Sequence, residues 1–303
     1  MAVWSPEPGE VLLSRQPVVF ATGLGPAVKG MRWFRGPERR DIQGELADWP
    51  GGPTFSPRSR NSARARGAGR FGGSVLGVVA LAILNGGGGV GGWRTPGAVQ
   101  DSANEIDDFP VLWAAPGETA RTLPWQLDPA RGGKDQRTHL IVTDRRLVIV
   151  APRGAEIVED DQKLWEVALS EISGVQLMDY SEVCARGMYS KKSDFRINFS
   201  DGSWCRLASQ FRGKLTMYLV SPLQIIPPER LSSGQRARVE AFVGGRELVF
   251  PPVVTRRESG NYLIQIQVSP KVRTSVGFDA EFDRMGADGQ DVEYVDGDLW
   301  RQT

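Results

Sequence analysis

The sequence predicts an α+β protein that is mostly β, and three observations carry the prediction. From residue 110 onward, short runs rich in β-branched and aromatic residues alternate with Gly, Pro, Asn and Asp turn signals. Only two stretches, 210–220 and 232–243, place apolar residues at helical spacing. The composition, 303 residues with 40% hydrophobic and 24% charged, fits one or two globular domains with linkers. Its net charge of +1 argues against a uniformly basic nucleic-acid binder.

Residues 1–48 read as short extended segments. Glu7 and Glu10 stand where a secretory leader needs cations, so no signal peptide is expected. The apolar pieces 11–13 and 18–20 are split by Pro17. Next, Arg32, Arg35, Arg39 and Arg40 interleave with Trp33 and Phe34. The favoured reading is an edge strand with its solvated turn. The alternative is an aromatic and basic face that stacks on bases or rests at a membrane interface.

Residues 49–104 form an Arg/Gly-rich segment. Its first part is too poor in apolar residues to bury a core and reads as a disordered linker. Between Trp49 and Gln100 six arginines, Arg58, Arg60, Arg64, Arg66, Arg70 and Arg94, meet no acid. The 23 residues of 71–93 carry no charge, but nine are Gly, so membrane insertion is marginal. Three readings stay open for 71–93: a flexible linker, which is favoured, a membrane-surface or self-associating helix, and a true span. Gly69, Gly73 and Gly77 lie at spacing four, the strip on which a second helix packs closely if this piece is helical. Arg58, Arg60, Arg64, Arg66 and Arg70 are accordingly candidates for contact with a membrane surface or another polyanion.

Residues 105–220 hold the predicted folded domain. Strands are expected at 111–114, 119–127, 138–150, 164–169, 174–180, 194–200 and 203–209, with a turn at 143–146 that divides the third. At 194–209 a three-residue loop with Gly202 left-handed pairs Ile197 with Cys205 and Phe195 with Leu207, which gives one apolar face. That register gathers Arg196, Asn198, Trp204 and Arg206 on the other face, just after Lys191 and Lys192. Lys191, Lys192, Arg196, Trp204 and Arg206 are therefore the candidate ligand or partner site, through charge-assisted hydrogen bonds to an acidic group. The blander reading of the same face is a solvated outer surface with Trp204 covered by a loop.

Residues 221–277 add a helix at 232–243, with Ser232 as N-cap and Gly244-Gly245 as its stop, and two strands, 247–254 and 261–268. In the second strand Tyr262, Ile264 and Ile266 alternate with Gln265 and Gln267, the pattern of a half-buried strand. Residues 278–303 read as an acidic tail, solvated rather than folded onto the Arg-rich segment.

One local pattern carries a family resemblance. Val142, Thr143, Asp144, Arg145, Arg146 and Leu147, within THLIVTDRRLVIV and followed by LWEVALSEISGVQL and DFRINFSDGSWCRLA, resemble the second and third strands of bacterial PH-like and GRAM-like domains. The similarity covers about residues 110–220. It implies an antiparallel barrel of two packed sheets closed by a helix, for which 210–220 is the candidate. It further implies a binding platform for lipid headgroups, peptides or other domains rather than an enzyme. The basic loop with which eukaryotic relatives hold phosphoinositides is poorly matched, since Arg131 and Lys134 are offset by Asp128 and Asp135.

Catalytic patterns are sparse. His139 is the single histidine and sits mid-strand, where a packed imidazole is the favoured reading over a base. Cys184 and Cys205 form no CxxC, so neither zinc nor disulfide chemistry is indicated, and no cofactor or metal is expected. These readings predict a non-enzymatic PH-like binding module for a protein partner or the inner membrane surface. Such a module would be cytoplasmic, and peripheral at the membrane if it binds there. The alternatives are a nucleic-acid-associated protein that uses the Arg-rich segment with Trp33 and Phe34, and an enzyme whose site is not visible in the sequence. Neutrality is a sum of opposites: residues 1–100 carry 12 basic and 6 acidic side chains, the rest 25 and 30.

Overall fold

The computed structural model describes residues 3–22, 33–52, 110–131, 137–153, 160–179, 193–220, 224–268, 280–293, 295 and 298. Strands dominate these residues. The chain divides into two compact units, each assembled from separate stretches. One comprises Met1–Pro17, Arg137–Ser170 and Gly213–Thr303, the other Val18–Gln136 and Glu171–Arg212. Segments from residues 1–48 thus serve both units.

In the first unit, β1 (Leu12–Pro17), β5 (His139–Thr143), β6 (Arg146–Arg153) and β7 (Asp160–Ala168) form an antiparallel sheet in that order. Pro17, with no N–H to donate, is the last residue of β1 and lies opposite His139. The turn between β5 and β6 falls where the sequence places it. Thr143 Oγ1 accepts from the N–H groups of Arg145 and Arg146 at 3.1 and 2.9 Å. The polar residues of this turn also lace the chain just before β1 to the hairpin. Asp144 Oδ1 accepts from the Val11 N–H at 2.8 Å, Arg145 donates to the Gly9 carbonyl at 2.7 Å, and Arg146 donates to both carboxylate oxygens of Glu10 at 2.9 Å. Behind them Leu12, Ile141, Val148 and Val150 form a core against which Val3, Trp4 and Phe250 pack.

The same unit holds a second sheet, β11 (Leu248–Arg256), β12 (Tyr262–Val268) and β13 (Ala280–Met285). Leu231, Val254, Ile264 and Met285 form its core, with Val239 and Phe242 of the helix at Ser233–Val243 packed against it. That helix starts as expected: Ser232 and Gln235 exchange hydrogen bonds in a capping box, and Gly244 ends it at φ 51°.

Three expectations are corrected here. Residues 280–285, read as part of a solvated acidic tail, are the strand β13. Its acids and those after it find cations nearby: Asp283 pairs with Arg238 at 2.7 Å, Asp291 with the same arginine at 3.3 Å, and Glu281 with Arg246 at 3.2 Å. The alternation in β12 does not mark a wet face, because Gln265 and Gln267 are buried. Gln265 donates to the Leu13 carbonyl at 2.7 Å and accepts from the Tyr218 hydroxyl, so its polar atoms are satisfied internally. Finally, the helix expected at 210–220 is a single five-residue piece, α1 (Arg212–Thr216); the helix at Ser233–Val243 is α2.

In the second unit the sheet order is β3 (Phe34–Arg35), β4 (Leu112–Trp113), β10 (Trp204–Ala208), β9 (Asp194–Phe199), β8 (Ile172–Met178), and β2 (Val19–Phe20) also pairs with β10. β3 and β4 run parallel; the other pairs are antiparallel. The β9–β10 register is the expected one, with Cys205 opposite Ile197, Leu207 opposite Phe195, and Gly202 at φ 93°. Phe20 and Phe34 meet edge to face at 5.2 Å, Phe34 and Trp49 at 4.9 Å. A strand was expected at 119–127. Pro124 splits that stretch into two 3₁₀ turns, Thr119–Thr122 and Trp125–Leu127, which bury Ala120 and Leu127.

Candidate functional site

The outer face of the β4–β10–β9 strands brings together three of the side chains that the register argument selects. Trp204 lies opposite Asn198, and Arg206 opposite Arg196. Pairing with β4 adds a residue that the sequence could not assign, Trp113, directly opposite Trp204. The two indoles are parallel, with centroids 6.4 Å apart and planes inclined by 3°. The guanidinium of Arg196 covers the Trp204 ring at 4.1 Å. A cation held this way gains about 0.5–2 kcal/mol, more as water is excluded.

The arginines of this region differ in what surrounds them. Arg206 is buried, its Nε donates to Asp194 Oδ2, and its Nη2 donates to the Asp179 carbonyl at 3.3 Å. Arg212 donates to the carbonyls of Met178 and Asp194 and faces the Asp179 carboxylate at 3.6 Å. Among the described residues the Arg196 side chain has no hydrogen-bond or ion-pair partner, only the Trp204 ring. Its Nε is sealed from solvent with no partner among the described residues. Burial pulls its pKa below the ordinary guanidinium value, with the Cys205 thiol nearby opposing that shift. This is a partly desolvated cation on a half-buried aromatic platform, with no anion paired to it among the described residues.

Lys191 and Lys192 lie outside the described residues, as do Arg58, Arg60, Arg64, Arg66 and Arg70, Gly69, Gly73 and Gly77, the run 71–93, and Cys184. Among the described residues no helix is long and apolar enough to cross a membrane.

Other candidates are already engaged. Trp33 and Phe34 are buried, at 4% and 0% exposure, which corrects the reading that they stack on bases. They belong to the edge-strand reading, since Phe34 begins β3. Arg131 forms a buried ion pair with Asp128 and lies 4.8 Å over Trp49, so its charge is spent inside the unit. Asp128 itself is raised above the ordinary carboxylate value, because burial outweighs the help of the Ala130 N–H and Arg131. His139 is fully buried, and its Nδ1 accepts from Arg15 Nε at 3.1 Å. Cys205 is fully buried too, and burial pushes its thiol pKa up, away from nucleophilic range. Among the described residues no three His, Cys, Asp or Glu side chains are grouped to hold a metal ion.

Comparison with known proteins brings no match to a family model, a curated protein or a solved structure.

Proposed function

We propose that the chain is a non-enzymatic PH-like binding module that holds an acidic protein partner on the β4–β10–β9 face. Arg196 carries this reading: a stacked guanidinium with no counter-ion among the described residues, beside two half-buried tryptophans. Arginine and tryptophan are the residue types that dominate binding energy at protein interfaces. The strand sequence supports the PH-like part. The consecutive antiparallel strands β5–β6–β7 and β8–β9–β10, followed by the short helix α1, are the features that support it.

A protein partner is favoured over a membrane surface by charge. Anionic lipid attracts proteins with about 1 kcal/mol per cation near the surface, so it calls for several free cations. Among the described residues, Arg206 on this face and Arg212 of α1 are matched by Asp194 and Asp179. The nucleic-acid reading loses its aromatic component, since Trp33 and Phe34 are buried. A cytoplasmic location, the sequence's expectation, suits such a module.

The test is photo-crosslinking in cells with a photoreactive amino acid at position 113 of the full-length protein. Discrete protein adducts that vanish with Arg196→Gln are expected, together with no co-sedimentation of the full-length protein with phosphatidylglycerol-rich vesicles. Arg196-dependent sedimentation without protein adducts would transfer the face to a membrane role.

A further inference from the structure

We infer that the group read by Arg196 is a single carboxylate of a peptide segment whose neighbouring aromatic or apolar side chain lies against Trp113 and Trp204. The inference rests on the binding-face reading above and narrows it to a ligand chemistry.

The geometry of the guanidinium limits how an anion approaches. Arginine grips oxyanions in two ways, along the edge shared by Nε and one Nη, or end-on through both Nη atoms. In Arg196 the first edge is closed, because Nε is sealed from solvent. The end-on edge remains, two coplanar donors spaced for the two oxygens of one carboxylate. Stacking on Trp204 at 4.1 Å holds the plane of those donors, so little side-chain freedom is left to lose on binding.

The charge on the face selects among anions. A phosphate monoester carries close to two negative charges and is usually met by a cluster of arginines. Here Arg206, directly opposite Arg196, is matched by Asp194, and Arg212 faces Asp179. Among the described residues of this region Arg196 is the cation left without an acid, and one cation answers one negative charge. Pairing also relieves the cost of holding Arg196 partly out of water without a counter-ion. Beside the charge, the half-buried rings of Trp113 and Trp204 supply apolar surface, and an indole offers no acceptor for a second polar contact. An acidic residue flanked by aromatic or apolar residues matches that combination.

The experiment uses the isotope-labelled full-length protein and three probes, the peptide Ac-Gly-Phe-Glu-Phe-Gly-NH2 and its counterparts with glutamine or phosphoserine in place of the glutamate. Nuclear magnetic resonance follows the indole N–H signals of Trp113 and Trp204 and the Nε–H of Arg196. The glutamate peptide is expected to shift all three, and the glutamine peptide to bind about tenfold or more weakly, the cost of losing a charge-assisted pair. Arg196→Gln should lose the same factor, and Arg196→Lys should not restore it, because an ammonium lacks the planar fork. Unchanged backbone spectra in both variants exclude a folding defect. Equal binding of the glutamate and glutamine peptides overturns the carboxylate. Tighter, Arg196-dependent binding of the phosphoserine peptide also overturns it, yet leaves the binding face standing. If none of the three moves these signals, the inference fails, and the adducts at position 113 decide separately whether the face binds a protein at all.

Discussion

Arg15 and Arg196 both lie in the middle of antiparallel strands and are both withdrawn from water, but they are treated in opposite ways. The Arg15 side chain is 0% exposed and forms two bonds of 2.6 Å to Asp161, whose side chain is 1% exposed; its Nε reaches His139. Asp161 is in turn held by the Trp4 N–H at 2.6 Å. Arg196 has an aromatic ring and, among the described residues, no anion. A buried charge with its partners present ties strands together. The same residue type left without one has that interaction energy available for the partner proposed above.

The comparison is broken most severely at Asp161. Asp161→Ala removes both carboxylate bonds of a buried guanidinium and the acceptor of Trp4. It should cost about 3–5 kcal/mol in urea unfolding. A smaller loss, about 1.5–3 kcal/mol, is expected from Glu10→Gln, which weakens the bonds from Arg146 and Thr143. This loss depends on pH. Burial raises the Glu10 pKa, but the bonds from Arg146, the Glu7 N–H and Thr143 outweigh it and hold the group below its ordinary 4.5. The wild-type advantage is therefore complete above that value and shrinks as the pH falls below it. Unfolding curves of the two proteins should converge in acid.

In the second unit, Asp201 offers a finer probe. Burial opposes its ionisation, yet hydrogen bonds from Thr119 and Ser203 bring its pKa to about 2 from an ordinary 3.8. Its contribution is present above pH 3.8 and is lost as the pH drops toward 2. In an acid titration followed by circular dichroism, Asp201→Asn should flatten that part of the curve. The smallest effect is expected at Arg196. Arg196→Met gives up a cation–π contact and the cost of a poorly solvated charge together, so stability should change by less than about 1 kcal/mol. A loss of stability at Arg196 as large as that at Asp161 would mean that Arg196 too is structural, and the contrast would collapse.

Much of the site was legible before the fold was known, because its key pairing is local. The Asp201-Gly202 turn and the alternation at 194–209 set the register that puts Arg196, Trp204 and Arg206 on one face. The turn at Thr143–Arg146 and the α2 capping box were legible for the same reason. Trp113 was not, since it reaches Trp204 through a pairing that spans 91 residues of sequence, and its own two-residue strand has no periodicity to read. The role of the Thr143–Leu147 pattern was also hidden. Its polar residues hold Gly9, Glu10 and Val11, a partner segment that no local pattern names.

By itself the sequence determined the mostly β character, the hairpin registers, the cap of α2 and the strand face that carries Arg196, Trp204 and Arg206, all set by neighbours within a few residues through turn geometry and side-chain period. Tertiary structure decided which polar residues remain available. It consumed Arg206 with Asp194, Arg131 with Asp128, and His139 with Arg15, buried Gln265 against Leu13, and turned an acidic stretch into β13. A charge is neutralised by whichever partner the fold brings within hydrogen-bond reach, and that partner is usually far away in sequence. That no acid among the described residues reaches Arg196 is visible only from the pairings the fold makes around it.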